Sequence, residues 1–259
     1  MNLELKGRFA LVGGSTQGIG LATAHELAAL GASVILLARD EKRLADCIRD
    51  LPETGRHQYV VADFNEPERL SQRIKEVVAL NPVHILINNT GGPPSGPALG
   101  ASIPEYETAF RQHLVCNQLL AQAVVPGMKS SGYGRIINVI STSVKQPLTN
   151  LGVSNTIRGA VANWAKTLAS ELGPFGITVN NVLPGATDTE RLRSIIATRS
   201  EKTGESRDQI LREMAEEVPL KRVATPAEIA AAIAFLASPA AAYINGINLP
   251  VDGGRTRSL

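Results

Sequence analysis

Only two cysteines, Cys47 and Cys116, occur in the 259 residues, and they lie far apart with no metal-ligand spacing between them. Neither a disulfide framework nor a metal site is therefore expected, and both thiols fall in helically patterned segments where buried cysteine acts as a small apolar side chain. A dominant charge is missing as well. With 26 basic against 24 acidic residues the net charge is +2, too little to make nucleic acid an expected partner. No apolar run is long enough for a membrane span, and Met1-Asn-Leu-Glu-Leu-Lys-Gly7 lacks a basic stretch followed by an apolar one, so a cytoplasmic protein without a membrane partner is expected. Internal repeats and low-complexity tracts are absent too. The hydrophobic share of 44% against 19% charged residues argues against long disorder and allows a large core.

What is present is alternation. Short β-rich runs at Arg8–Gly13, Ser33–Ala38, Gln58–Ala62, Val83–Asn88, Gly134–Ile140, Ile177–Val182 and Gly246–Val251 are separated by longer amphipathic or alanine-rich stretches. Runs such as Val34-Ile-Leu-Leu37 and His84-Ile-Leu-Ile87 do not alternate, which suits parallel strands covered on both faces. The order predicts an α/β fold, a doubly wound parallel seven-stranded sheet (Rossmann-like), with residues 1–259 as one domain. Thr225-Pro226 with Glu228 signals a late helix start, and Ser238-Pro239 its end. Gly91–Pro97 and the stretch from Gly185 to about Gly204 read as irregular loops at the carboxyl ends of strands, where open α/β sheets bind ligands.

Gly13-Gly14-Ser15-Thr16-Gln17-Gly18-Ile19-Gly20 follows the first strand and opens a helix read as Leu21–Leu30. Glycines there let the backbone approach a pyrophosphate, whose charge is met by free N–H groups at the helix N-terminus. At the end of the second strand an NAD site needs an acid for the ribose 2′-hydroxyl. This chain has Ala38-Arg39 instead, and a guanidinium suits a 2′-phosphate. NADP(H) is favoured over NAD(H), with Asp40 beside Arg39 as a partial offset.

The glycine run resembles the Thr-Gly-x-x-x-Gly-x-Gly fingerprint of the short-chain dehydrogenase/reductase family, with Gly13 where threonine is usual. The likeness extends along nearly the whole chain. Asn88-Asn89-Thr90-Gly91 resembles the family's Asn-Asn-Ala-Gly, Asp63 its adenine-contacting aspartate, and Pro184-Gly185 with Thr187 and Thr189 its nicotinamide-carboxamide loop. Val251-Asp252-Gly253-Gly254 resembles its C-terminal signature, and the nearest flavour is the 3-oxoacyl-carrier-protein reductase-like branch. The resemblance implies a cofactor site at Gly14 to Gly20, Arg39, Asp63, Asn89, Gly91, Pro184, Gly185, Thr187 and Thr189. It also implies a homotetramer or homodimer, paired through the helices Ala101–Met128 and Leu151–Leu172.

By the same resemblance the catalytic set is Asn117, Ser141, Ser154 and Arg158, and here the chain departs from the family. Ser154 stands where the family has its catalytic tyrosine and Arg158 where it has lysine, while Gly159-Ala160 keeps the register. Serine is shorter by a whole ring and far less acidic, and arginine does not deprotonate near neutral pH. Three replacements for the proton donor are open: a water held by Ser141, Ser154 and Arg158; His113, one helical turn before Asn117; or an acidic group on the substrate, with Arg158 as an anion clamp. Tyr59, Tyr106, Tyr133 and Tyr243 have no register that aims them at the site. The expectation is an oxidoreductase moving hydride between a nicotinamide cofactor and a small carbonyl or alcohol. A lapsed dinucleotide-binding or regulatory protein, and a lyase or isomerase on the same fold, are the alternatives.

Overall fold

The computed structural model describes residues 1–258. Seven strands, β1 (Phe9–Gly13), β2 (Ser33–Ala38), β3 (Gln58–Val61), β4 (Val83–Asn88), β5 (Gly134–Val139), β6 (Ile177–Pro184) and β7 (Asn248–Val251), alternate with helices. All the pairings are parallel and the strand order is β3-β2-β1-β4-β5-β6-β7. The order reverses between β1 and β4, the crevice in which such sheets bind ligands.

Both faces of the sheet are covered. Val34 and Leu36 of β2 join a core with α1 (Gly18–Ala29), α2 (Glu41–Arg49) and α9 (Pro226–Ala237). Ile35 and Leu37, one residue out of phase, enter a second core with α3 (Pro67–Leu80), α5 (Cys116–Ser131) and α6 (Gly152–Leu172). That two-sided burial is why the strand sequences do not alternate, and each fully buried aliphatic side chain contributes about 1.5–3 kcal/mol. Thr225 and Glu228 form the expected capping box at the start of α9.

Three readings need correction. The first helix starts at Gly18, inside the glycine run, because its opening residues use glycine backbone rather than apolar periodicity. The stretch from Gly185 to Gly204 is mostly helical: α7 (Glu190–Thr203) follows the cap Thr189 and is joined by α8 (Arg207–Glu216). Few apolar residues mark α7, and its Leu192 and Ile196 pack with Ile210 and Met214 of α8 and with Ala186 and Val223. The segment from Ala101 to Met128 is also not one regular helix. It comprises α4 (Ile103–Phe110), a π-helical turn at Arg111–Val115 and α5.

Across the sheet runs a row that periodicity does not announce. Asn88, Asn138, Asn181 and Asn248 sit opposite one another on β4, β5, β6 and β7, and each amide donates to the next at 2.8 Å. The ladder runs from the carboxyl end of β4 and β5 through the middle of β6 to the first residue of β7. No described helix is long and apolar enough to cross a membrane.

Candidate active site

A cavity of about 1220 Å³ follows the carboxyl edge of the sheet from Arg39 to the loop after β6. Its first wall is the glycine run. Gly14 and Gly18 have φ of +57° and +55°, conformations costly for other residues. A Cβ on Gly20 would lie 2.2 Å from the Gly14 carbonyl oxygen, so the helix packs against its own entry loop there. Asn89 donates to the Gly13 carbonyl at 3.1 Å and fastens the loop to the end of β4. The start of α1 has no side-chain cap on Gln17 and no acid in its first turn. Those N–H groups and the positive end of the helix dipole fit a pyrophosphate.

Gly14, Thr16, Gln17, Gly18 and Ile19 line the cavity with Arg39, Asp63, Asn89 and Gly91, and beyond them come Pro184, Gly185, Thr187 and Thr189. Ser15 and Gly20 stand behind this wall. Ser15 is buried, and its hydroxyl accepts from Leu37 N at 2.9 Å, tying the loop to β2. Asp63 accepts from the backbone and side chain of Asn65. Thr189 accepts from Leu192 N at 3.3 Å as the cap of α7. Gly185 packs so closely on the C-terminal turn that a Cβ would lie 2.8 Å from Asp252 Cα.

Asp40 does not face Arg39's ligand side as a counter-charge: its carboxylate caps α2 by accepting from Arg43 N at 3.0 Å. Arg43 reaches the glycine loop, donating to Gln17 Oε1 at 3.2 Å. It is also ion-paired with Asp40 at 3.6 Å and stands off the cavity wall, a link between α2 and the glycine loop that the sequence reading missed. Its signal was present, since Arg43 follows Arg39 by four residues where the helix begins.

Ser141, Ser154 and Arg158 meet on the opposite wall. Ser141 leaves β5 in extended backbone and its hydroxyl accepts from Ser143 N at 3.1 Å. Ser154 and Arg158 are successive turns of α6, whose start is pinned by contact with the preceding loop: a Cβ on Gly152 would lie 2.3 Å from Ala98 Cα. Arg158 is buried and donates to the Val139 carbonyl at 2.8 Å. Asn117 and His113 are buried and lie off the cavity wall. The π turn carrying His113 ends immediately before α5, of which Asn117 is the second residue.

Burial above all, with repulsion from Arg158, holds the His113 imidazole down to about 2, against a hydrogen bond to the Gly91 carbonyl. Its Nε2 has no partner among the described residues. A neutral, walled-off imidazole is not a proton donor at neutral pH. No tyrosine lines the cavity. Tyr133 lies at the other edge of the sheet, sandwiched by Arg8 and Arg135 and donating to the Ala237 carbonyl at 2.6 Å.

The sequence reading also missed Arg191. It stands one residue into α7 beyond Glu190, lines the cavity, and donates to the Pro93 carbonyl at 2.5 Å. In the linear sequence it is one of several surface-like cations, and only the packing of α7 on the Gly91–Pro97 loop turns it inward.

Comparison with known proteins agrees with this geometry. A family model described as enoyl-(acyl carrier protein) reductase matches residues 14–256. The 3-oxoacyl-[acyl-carrier-protein] reductase of Vibrio cholerae is 36% identical over 257 residues, covering 98% of each chain. The short-chain reductase protein NovJ of Streptomyces niveus is 33% identical over 95% of this chain and 93% of its own. Among solved structures, the L-sorbose reductase of Gluconobacter frateurii, complexed with NADPH and L-sorbose, superposes with a TM-score of 0.93 at 32% identity, with all of both chains covered. Since the match runs from the glycine loop through the Ser141 wall to the C-terminal turn, the chain belongs to the short-chain dehydrogenase/reductase family.

Proposed function

We propose that residues 1–259 act as one NADP(H)-dependent oxidoreductase domain for a small carbonyl or alcohol, with an acid/base site altered at Ser154 and Arg158. The observation that carries the cofactor half is the uncapped α1 N-terminus together with Arg39 on the cavity wall at the exit of β2, while Asp40 is engaged with α2 and Arg43. That charge arrangement supports a 2′-phosphate over a bare 2′-hydroxyl. The relatives known as reductases, and the NADPH in the L-sorbose reductase complex, support the same reading.

When bound, the nicotinamide supplies or accepts the hydride. The chain's own contribution is positioning and charge. Ser141 and Ser154 present hydroxyls to the cavity, and Arg158 presents a guanidinium that stays cationic, its pKa lowered by burial and then by Arg191 only to about 10. Negative charge developing on a substrate oxygen is stabilised by these donors. With no tyrosine on the wall, the proton comes from a water held by the two serines or from the substrate itself. Pairing of α5 and α6 with a second copy is part of this proposal, as in the family.

The test is a fluorescence titration with NADPH and NADH, followed by an absorbance screen of carbonyls and alcohols at the nicotinamide band. Tighter NADPH binding and substrate-dependent oxidation are expected. Binding without turnover of any compound would make the chain a dinucleotide-binding protein, and turnover without a nicotinamide change would make it a non-redox enzyme.

A further inference from the structure

Two guanidinium groups, Arg158 from α6 and Arg191 from α7, face the same end of the cavity. Both are positioned by neutral backbone acceptors, Val139 and Pro93. Among the described residues neither takes part in any ion pair. The nearby charges do not compensate. Glu190 turns to Arg193, Glu217 to Arg255, and Arg199 is already neutralised by Glu205 and Glu213. Arg158 is buried and Arg191 half-buried; a buried cation is costly unless an anion meets it, and a second cation beside it adds repulsion. The mutual effect is visible in Arg158, which Arg191 pushes further down after burial has acted.

We propose that Arg158 and Arg191 form a carboxylate clamp, so that the substrate is a small oxo or hydroxy acid whose reacting carbon is presented to Ser141 and Ser154. A guanidinium matches a carboxylate with two parallel N–H donors, and the backbone bonds already made fix the direction of the remaining ones. Arg158 lies one helical turn from Ser154, so an acid gripped there has its neighbouring carbon beside the hydroxyls. Arg158 would then do more than replace a lysine: it would set substrate choice. This inference rests on the reductase reading for what happens to the anchored molecule, but the grip itself is a binding property that can be measured without turnover.

The experiment is calorimetric titration with oxamate, an unreactive oxo-acid mimic, and with its neutral ethyl ester, on the protein alone and with NADPH. Oxamate is expected to bind and the ester to bind about 10- to 100-fold more weakly, the loss of a charge-assisted pair. Arg191→Met should lower oxamate affinity by a similar factor while NADPH affinity and the thermal melt stay unchanged, and Arg191→Lys should recover part of it. Arg158→Met should act likewise; should it fail to fold, Arg191→Met decides alone. Equal binding of acid and ester, or undiminished oxamate binding by Arg191→Met, overturns the clamp. So does a loss confined to NADPH, which would assign Arg191 to the cofactor phosphates. Failure of NADPH to bind while oxamate still responds to Arg191→Met overturns only the cofactor reading.

Discussion

At the scale of single residues, the cofactor end is governed by which charges are free. Asp40 is committed to α2, so Arg39 faces the cavity without that offset. Arg39→Ala is expected to weaken NADPH by about 1–3 kcal/mol and NADH much less, because only the former loses charge-assisted hydrogen bonds. Fluorescence titration checks this, and equal losses for both cofactors would remove Arg39 from the 2′-phosphate site. At the other end, Ser154 and Arg158 occupy successive turns of one helix face. The pair Ser154→Tyr with Arg158→Lys restores a phenol and its cationic partner at i and i+4, and should raise reduction of neutral diketones or oxo-esters by about 10²–10⁴-fold. Each single change should do less, since the two groups act as a unit. A folded, NADPH-binding double variant with no gain would mean that the cavity is shaped for other chemistry. The glycine loop was legible from short spacings, and Ser141, Ser154 and Arg158 were reached through the family resemblance; the structure puts all three on the cavity wall, and their part in catalysis belongs to the proposal. Arg43 and Arg191 were not legible: Arg191 reads as surface until the Gly91–Pro97 loop covers it, and Arg43, itself exposed, meets Gln17 only across the fold.

At the scale of elements, the asparagine ladder ties four strands together and the π turn buries a histidine. Asn138 sits in the middle of the ladder, accepting from Asn88 and donating to Asn181. Asn138→Ala removes both bonds and leaves two buried amides short of partners, at a cost of about 2–5 kcal/mol. Urea denaturation should record it as a shift in midpoint; a loss below about 0.5 kcal/mol, the scale of an ordinary surface change, would show that the ladder is not stabilising. The π turn places His113 where it stays neutral down to about pH 2. An unfolded histidine titrates near pH 6.5, so between those values the unfolded chain binds a proton that the folded one refuses. This histidine therefore costs nothing above pH 6.5, and stability falls by about 1.4 kcal/mol per pH unit as the pH drops below it. His113→Gln should flatten that part of the stability profile, measured as the difference from the parent between pH 7 and 4.5. Identical slopes would contradict the buried neutral state. Neither feature could be read beforehand: a ladder needs the register of four strands, and the π turn hides in a segment whose composition is ordinary for a helix.

At the scale of the whole molecule, sheet order and cavity position belong together. Placing β4 beside β1 brings the Asn89 loop against the glycine loop, and the same edge receives Ser141 from β5 and Thr187 from β6. A ligand spanning that edge touches segments distant in sequence, so it should bind only the folded state. NADPH at about 100 times its dissociation constant should then add about 2.7 kcal/mol to unfolding stability, and NADH at the same concentration less. Thermal denaturation with each cofactor measures this, and equal shifts would argue against the preference for NADP(H).

The sequence by itself determined the sheet and its covering helices, because two-sided strands, caps and a glycine loop are local patterns whose energetics involve neighbours a few residues apart. It also fixed the presence of Ser154 and Arg158 at a helical spacing. Only the tertiary structure decided that α7 exists as a helix on the cavity rim, that Asp40 is engaged with α2, that His113 is buried and neutral, and that Arg158 and Arg191 share one space without an acid between them. Those are matters of which distant side chains are brought out of water together. Burial and charge pairing depend on that convergence, and no periodicity along the chain records it.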